Sequence, residues 1–395
     1  MFRNKIFKLI IILNIFFLFL VIVSHTTIKV NGVELKTDNL DLVSDSKSAI
    51  LIEVSTGEIV YEKNSKEKRF PASLTKIMTM ILVMEAIHNN VISYDTIFTA
   101  SEKAKSMGGT TIFLETGEEM SVSDLLKGVA ITSANDAAVC LAEGINGTVQ
   151  EFVRKMNDKA LKIGCVNTHF SNCNGLPVEN YQEDHYTCAY DIGLMSTYLV
   201  KTYPDILKFT SIYEDYLRKG TDREFWLVNT NKLVRFYNSV DGLKTGWTIE
   251  AGYCLSATQK VNDIRFVAVA MGASSAGIRN KEIMTMLNYG ANNYELKNIV
   301  KDGELIDIKN NILYKPYKYN VVTSDSLNII IKKGEKLGNI SKDVIIYDDI
   351  NDNIVGKMKL KYDEKTIIID LVSDEKVEKA NVFEILFELF KRILL

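Results

Sequence analysis

Strand-like alternation of apolar and polar residues encloses a helical middle within the first 300 residues of the chain. Alternating segments lie at residues 49–63, 240–248, 252–259 and 264–271. Apolar residues at helical spacing lie at 73–87, 122–131, 136–145, 149–163, 188–203 and 278–294. Strands from both ends of this stretch must meet in one sheet of about five antiparallel strands. The order predicts an α+β domain over residues 40–295, with helices on the sheet faces and an inserted helical subdomain.

The remainder of the 395-residue chain contains two further regions with different residue patterns. Short β-rich segments between Asp, Asn and Gly turns predict a small all-β domain over residues 300–374. Residues 376–395 predict an amphipathic helix, because Glu384, Glu388 and Lys391 share one face and apolar side chains cover most of the rest. Such a helix is typical of a peripheral membrane anchor, and packing on the β-rich domain is the alternative.

The N-terminal segment has the pattern of an export signal. Arg3, Lys5 and Lys8 precede an apolar run over residues 9–23, which predicts a signal peptide within residues 1–32. The run is shorter than the roughly twenty residues of a membrane-spanning helix, the alternative interpretation. We therefore expect an exported protein at the outer face of the cytoplasmic membrane. A net charge of −3 and a pI near 6.0 argue against nucleic acid as a partner.

The cysteines and histidines do not predict a metal site. Five cysteines cannot all pair within one chain, and their spacing forms no disulfide framework. His169 with Cys173, and His185 with Cys188, have ligand-like spacing, but no CxxC knuckle or matched second pair accompanies them. Buried thiols and ordinary polar histidines explain the pattern, so we expect no metal and no cofactor.

Ser73 and Lys76 stand three positions apart at the start of an apolar helix, which places both side chains on one helix face. A serine hydroxyl needs a base to become a good nucleophile, and a lysine serves when burial or nearby cations lower its pKa. The same spacing begins at Ser44, Ser65 and Ser373, all in polar stretches. By itself the pair is also compatible with a capping serine beside a solvated lysine.

Two further elements follow in order. Ser133, Ala134 and Asn135 lie in a break between predicted helices, where the hydroxyl can relay a proton and the amide can bind a carbonyl. Capping of the next helix is the alternative.

The last element is a Lys-Thr-Gly triplet in a predicted strand. Lys244 and Thr245 offer a charge and a hydroxyl to a substrate carboxylate, and Gly246 permits close backbone approach. An ordinary edge strand with a solvated lysine is the alternative.

Together these elements resemble a known family. Ser-x-x-Lys, a Ser-x-Asn triplet and Lys-Thr-Gly, in this order, form the signature of penicillin-binding proteins and class A β-lactamases. The stretches FPASLTKIMT, ITSANDAAV and VDGLKTGWTIEAGYCLSAT look like the serine D-alanyl-D-alanine carboxypeptidases among the low-molecular-mass penicillin-binding proteins. The resemblance covers most of residues 49–294. It implies a β-lactamase/transpeptidase-like fold, with the β-rich domain and anchor helix that the family usually has.

The resemblance also implies a reaction. Ser73 would be the acylated nucleophile, Lys76 its base and Ser133 a proton relay. The substrate would be peptidoglycan pentapeptide, which loses its terminal D-alanine, and β-lactam antibiotics would inhibit the enzyme.

By the same resemblance, six further positions would bind the substrate: Asn135, Lys244, Thr245, Gly246, Trp247 and Arg279. Asn135 would contact it directly, Lys244 and Thr245 would receive its carboxylate, and Arg279 would be a further carboxylate contact. The backbone N–H groups of Ser73 and Trp247 would form the oxyanion hole. Trp247 departs from the smaller or polar residue that is usual there.

Three alternatives remain at this point. A class A β-lactamase would need a glutamate on an E-x-x-x-N loop between the second and third motifs, and neither Glu179 nor Glu183 has an asparagine four residues later. A catalytically silent penicillin-binding wall protein would lack reacting groups, yet every one is present. Function in the β-rich domain is disfavoured because that domain has no convergent polar cluster in the sequence.

Overall fold

The computed structural model describes residues 40–177, 185–351, 353–362 and 365–394. The predicted signal peptide, residues 1–32, lies outside this part of the chain, as do Glu179, Asn180 and Glu183.

Strands and helices follow one another as the periodicities predict. The strands are β1 (Ser48–Glu53), β2 (Ile59–Lys63), β3 (Ile97–Thr99), β4 (Glu119–Ser121), β5 (Glu214–Leu217), β6 (Phe225–Val228), β7 (Val240–Thr248), β8 (Gly252–Val261), β9 (Ile264–Ala273), β10 (Tyr294–Val300), β11 (Leu305–Asn310), β12 (Tyr314–Lys315), β13 (Lys318–Thr323), β14 (Leu327–Lys332), β15 (Ile340–Asn351), β16 (Ile354–Tyr362), β17 (Lys365–Ser373) and β18 (Glu378–Lys379). The α-helices are α1 (Lys76–His88), α2 (Glu102–Lys105), α3 (Val122–Lys127), α4 (Asn135–Asn146), α5 (Val149–Ile163), α6 (Ala189–Thr202), α7 (Leu207–Thr210), α8 (Leu233–Phe236), α9 (Ala276–Asn293) and α10 (Val382–Leu394).

The central sheet joins both ends of the first region, as predicted. Its five antiparallel strands lie in the order β2-β1-β9-β8-β7. Strand β1 is buried along its whole length, because it lies inside the sheet with helices on both faces. Strand β7 lies at the edge of the sheet, so its outer side pairs with no other strand of this sheet.

Two hydrophobic cores sandwich this sheet. One contains Ile50, Ile52 and side chains of the helical middle, such as Ile77 and Met80 of α1. The other places Leu51 and Phe266 against Ile283 and Leu287 of α9. Neighbouring residues of β1 thus enter opposite cores, as the period of two in a strand requires. The α+β architecture is confirmed.

The β-rich region starts earlier than the sequence pattern predicts. Strand β10 follows α9 directly at Tyr294 rather than near residue 300, and it pairs with β14 in a separate two-stranded sheet. The main sheet here has the order β11-β13-β17-β16-β15. A third core, built around Tyr319, Val321 and Leu360, packs this region. The division at residues 300 and 374 stays a prediction about domain limits.

The last helix, α10, is shorter than the predicted span of 376–395. Residues of β18 pair with β12, which prevents a helix from beginning before that point. Asn381 then caps α10, because its side-chain oxygen accepts from the Glu384 N–H (3.1 Å) while the Glu384 carboxylate accepts from the Asn381 N–H (2.9 Å). No residue of α10 is buried, so its apolar face is not packed on the β-rich region. Across the described residues, no helix has the length and apolar character to cross a membrane.

Candidate active site

Ser73 lies in a tight 3-10 turn, Ala72–Thr75, that leads directly into α1. The turn is strained, because Ala72 has φ 44° in the left-handed region that non-glycine residues rarely adopt. A glycine opposite makes this possible. A Cβ at Gly175 would lie 1.9 Å from the Ala72 carbonyl oxygen, so only glycine fits there. Strain held by close packing is typical of functional sites.

Lys76 places its amine beside the Ser73 hydroxyl. Its Nζ donates to Ser73 Oγ (3.1 Å), Asn135 Oδ1 (2.6 Å) and the carbonyl of Asn174 (2.7 Å). The side chain is fully buried, and this desolvation lowers the pKa of Lys76 to about 7. The amine is therefore half neutral near pH 7, as a general base for a serine hydroxyl should be.

Ser133 does not cap the helix that follows it. The predicted helix 122–131 ends as a π turn, Gly128–Thr132, and Ser133 closes that turn with φ 69°. Ala134 occupies the N-cap position of α4 and gives no side-chain hydrogen bond. The capping interpretation is therefore wrong for Ser133. Within the described part of the chain, no hydrogen bond joins its hydroxyl to Ser73 or Lys76, so its relay role stays a prediction.

The Asn135 amide is held at both ends. Its oxygen accepts from Lys76, and its nitrogen donates to the Gly108 carbonyl (2.7 Å). The observed contacts orient the Lys76 amine, whereas the predicted contact with substrate stays a prediction.

Gly246 brings the edge strand β7 against the Ser73 turn. A Cβ at this position would lie 3.2 Å from the Ser73 and Leu74 nitrogens and from the Pro71 oxygen, which are all backbone atoms. The next residue, Trp247, is 55% exposed and lies beside Tyr253, with ring centroids 5.9 Å apart. The structure thus brings the third motif to the nucleophile.

Lys244 is buried rather than solvated, so the alternative of an ordinary edge strand is wrong. Its Nζ donates to the Thr245 carbonyl (3.0 Å), and the Thr245 hydroxyl donates to Thr230 Oγ1 (2.7 Å). Thr230 in turn donates its backbone N–H to the Ile131 carbonyl (3.0 Å). This chain of contacts links β7 to the turn that precedes Ser133.

Three buried cations converge on this place. Burial, with added repulsion from Lys76 and Arg279, holds the pKa of Lys244 well below its usual value. Burial also lowers the pKa of Arg279 to about 10, and its guanidinium donates to the Cys254 carbonyl and to Asn280 Oδ1. None of the three forms an ion pair with any described residue. Buried cations without carboxylate partners create a site that favours an anion.

The family comparison agrees with this geometry. The family model described as D-alanyl-D-alanine carboxypeptidase, Peptidase S11, matches residues 36–275. The chain belongs to this family. The carboxypeptidase is 44% identical over 347 residues to D-alanyl-D-alanine carboxypeptidase DacF of Bacillus subtilis (strain 168), covering 86% of this chain and 88% of that protein.

Solved structures share the fold of this carboxypeptidase. Penicillin binding protein 5 from Haemophilus influenzae superposes with a TM-score of 0.70 at 27% identity, covering 88% of this chain and all of that chain. Penicillin-binding protein D2 from Listeria monocytogenes, in its ampicillin-bound form, has a TM-score of 0.55 at 32% identity, covering 62% of this chain and 97% of that chain. The predicted transpeptidase-like fold and the serine-type carboxypeptidase class are confirmed.

Three residues that support the carboxypeptidase site were not predicted. Asn174 supplies a carbonyl to Lys76, and Thr230 bonds Thr245. The Asp136 carboxylate accepts from the N–H groups of Ile112 and Leu114, which fixes the loop beside Gly108. Asp136 follows the second motif directly and was the easiest of the three to find. The other two lie outside the three motifs, so only the fold shows their hydrogen bonds to the site.

His185 and the cysteines of the carboxypeptidase are packed inside it, whereas His88 and His169 are exposed. His185 receives the Ser171 N–H at Nδ1 (2.9 Å) and lies 3.0 Å from Thr75 Oγ1, and burial lowers its pKa to about 3. All five cysteines are unpaired and buried. The described residues contain no group of three potential ligands that could hold a metal ion.

Proposed function

We propose that the carboxypeptidase removes the terminal D-alanine from peptidoglycan pentapeptide through an acyl-enzyme on Ser73. One observation carries this proposal: the fully buried Lys76 amine, with a pKa of about 7, donates to Ser73 Oγ at 3.1 Å. A neutral amine at this distance can accept the hydroxyl proton as Oγ attacks the carbonyl of the penultimate D-alanine.

The remaining steps use groups around the same turn. The N–H groups of Ser73 and Trp247 stabilise the oxyanion of the tetrahedral intermediate. The proton passes from Lys76 through the Ser133 hydroxyl to the leaving nitrogen, and the bond to the terminal D-alanine breaks. A water molecule then attacks the Ser73 ester, giving the shortened peptide and free Ser73.

Substrate binding would rest on the buried cations. The terminal carboxylate is the anion that Lys244, Thr245 and Arg279 receive, and the Asn135 amide contacts the acyl chain while it holds Lys76. Lys244 and Arg279 together attract the substrate carboxylate strongly, because both are buried and little water screens their charges.

β-Lactam antibiotics would acylate the same serine. The support is the ampicillin-bound form of the D2 protein from Listeria monocytogenes, which shares the fold at 32% identity. Fluorescent penicillin should label this protein at Ser73 and release slowly, whereas many turnovers per second would indicate the β-lactamase alternative.

Release of free D-alanine tests the reaction itself. The protein should liberate D-alanine from a pentapeptide ending in D-Ala-D-Ala, and a Ser73→Ala variant should lose at least about 10³-fold in kcat. Ser93→Ala, in an exposed turn, is the matched control and should retain full activity. D-alanine release by Ser73→Ala at the unmodified rate would refute the acyl-enzyme.

We further propose that the protein is exported and lies on the outer face of the cytoplasmic membrane through α10. Phe383, Phe390 and Ile393 are each at least 69% exposed, an arrangement that suits insertion at the lipid interface. The full chain should bind anionic lipid vesicles, and Phe383→Ser with Phe390→Ser should weaken binding. Leu305→Ser removes an exposed apolar side chain from β11 and serves as the control. Equal binding by the double variant would refute the anchor.

A further inference from the structure

The Arg279 guanidinium is held by neutral oxygen atoms. Its Nη1 donates to the Cys254 carbonyl (3.3 Å), and its Nε and Nη2 both donate to the Asn280 side-chain oxygen (3.1 and 2.8 Å). Side chains of consecutive helix residues normally point in different directions, so the Asn280 amide turns back toward its neighbour. Because an amide nitrogen cannot accept a hydrogen bond, these donors also fix which end of the amide faces Arg279.

Two N–H groups of this guanidinium remain for a ligand. A guanidinium has five N–H donors, and the contacts with Cys254 and Asn280 use three of them. The other two, one on Nη1 and one on Nη2, form no hydrogen bond within the described part of the chain. Donors on these two nitrogens match the two oxygens of a carboxylate. Cys254 lies opposite Gly246 in the pairing of β8 with β7, so Arg279 is beside the third motif.

A second arginine of the same region has the usual carboxylate partner. Arg265 on β9 places Nη1 and Nη2 2.8 and 2.7 Å from the two Asp241 carboxylate oxygens, and this bidentate pair neutralises its charge. Arg279 is buried, yet it forms no ion pair with any residue that the structure describes. The Glu282 carboxylate, one helical turn later, accepts instead from the backbone N–H groups of residues 45–46 (2.6 and 3.0 Å).

We infer that Asn280 is a positioning residue that sets the preference of the site for a free terminal carboxylate. This inference rests on the proposed function, in which Arg279 contacts that carboxylate. As a neutral acceptor, Asn280 orients the guanidinium without neutralising it, so the whole charge is available to the substrate. An aspartate here would keep the acceptor oxygen but pair with the guanidinium, as Asp241 pairs with Arg265. The substrate carboxylate would then compete with a resident one.

Solvent reaches Asn280 through a cavity of about 460 Å³ between α8 and α9. Phe236, Lys281 and Asn288 also line this cavity. Asn280 is half-buried, so an aspartate in its place stays hydrated on one side and ionised near neutral pH. The substitution Asn280→Asp therefore adds one negative charge beside the Arg279 guanidinium with almost no change of shape.

Two synthetic peptides measure the preference. Both end in D-Ala-D-Ala, one with a free carboxylate and one with a C-terminal amide, and the preference is the ratio of their kcat/KM values. Asn280→Asp should lower this ratio about tenfold, through a higher KM for the free acid. The kcat for the free acid and the kcat/KM for the amide should stay within about twofold. An unchanged ratio in an active Asn280→Asp protein would overturn the inference.

Benzylpenicillin and its methyl ester test the same preference without peptide turnover. The ratio of their rates of Ser73 acylation, followed by mass spectrometry, should also fall about tenfold in Asn280→Asp. An equal ratio in the unmodified protein and in Asn280→Asp would contradict the role of Asn280. Failure of the unmodified protein to release D-alanine would count against the proposed function itself, and the penicillin pair would still decide the role of Asn280.

Two further variants separate charge from geometry. Asn280→Ala removes the acceptor and adds no charge, so the ratio should fall only about threefold. If Asn280 only held Arg279 in place, the isosteric aspartate would be the milder change, and that order would refute the inference. Asn288→Asp adds the same charge about 12 Å farther along α9 and should leave the ratio within about twofold of the unmodified protein. An equal fall in Asn288→Asp would assign the effect to general charge and likewise refute the inference.

Discussion

The sheet region and the β-rich region differ in whether they bury charged side chains. Around the central sheet, Lys76, Lys244 and Arg279 are at most 4% exposed and have no carboxylate partner among the described residues. In the β-rich region no charged side chain is buried among the described residues, and the buried polar groups there include the hydroxyls of Tyr319, Thr323 and Ser373. Both regions have hydrophobic cores, but only the first keeps charges inside.

This difference indicates where function lies. Burial of an unpaired charge opposes folding by several kcal/mol, because protein groups replace the lost water only in part. The sheet region maintains Lys244, Arg279 and the half-neutral Lys76 near one strained serine turn, whereas no charged side chain is buried among the described residues of the β-rich region. The strongest tests therefore change charge or close packing in the first region and make the matching change in the second.

The largest effect should come from Lys76. Lys76→Met removes the base and should lower kcat for D-alanine release by on the order of 10³-fold. Lys365→Met is the matched change in the β-rich region and should leave kcat within about twofold, because Lys365 pairs with Glu58 and contacts no group of the Ser73 site. Similar losses in both variants would break the contrast between the regions.

Close packing at Gly246 should have the next largest effect. Gly246→Ala places a methyl group 3.2 Å from three backbone atoms, so β7 must move away from the Ser73 turn. Because such a shift disturbs the oxyanion hole, we expect kcat/KM to fall about 100-fold. The free energy of unfolding, measured in urea, should fall by about 1–3 kcal/mol.

Gly277→Ala is the control for this experiment. A Cβ at Gly277 meets nothing closer than 4.0 Å, and alanine favours the first turn of α9. Activity should be retained. A Gly246→Ala protein as active as Gly277→Ala would show that the contact with the Ser73 turn is unimportant.

The effect of pH on the acylation rate should be smaller than that of Gly246→Ala, and the rate should fall as the pH is lowered. The pKa of Lys76 is lowered to about 7, so the neutral amine increases as pH rises through that value and declines below it. The rate of penicillin acylation should fall about tenfold per pH unit well below pH 7 and level off above it. A flat rate between pH 5.5 and 8 would exclude Lys76 as the titrating base. Stopped-flow fluorescence with labelled penicillin measures the profile.

The smallest effect should come from the ion pair that joins the two regions. Lys365 Nζ lies 2.7 and 2.8 Å from the Glu58 carboxylate oxygens, and Glu58 is nearly buried in the turn between β1 and β2. Glu58→Gln should lower the free energy of unfolding by about 1 kcal/mol. D-alanine release should be unchanged. A clear loss of activity would instead show that the β-rich region acts on the site.

Local patterns predicted most of the fold. The hairpin of β1 and β2, the edge strand β7 and the helices α1, α5 and α9 follow their periodicities within a few residues. Errors occurred where tertiary contacts override local signals. Pairing of β18 with β12 shortens the last helix, and the π turn before Ser133 interrupts an otherwise regular helical pattern.

The sequence by itself determined the reacting groups and their order, because Ser73, Lys76, Ser133 and the Lys-Thr-Gly triplet are short motifs with fixed spacing. Only the tertiary structure decided how deeply these groups are buried, which groups they contact and how they are protonated. The burial that lowers the pKa of Lys76 to about 7 comes from residues far apart along the chain, such as Asn135 and Asn174. The capping interpretation of Ser133 and the solvated interpretation of Lys244 failed for the same physical reason, since burial and contact depend on which distant segments meet.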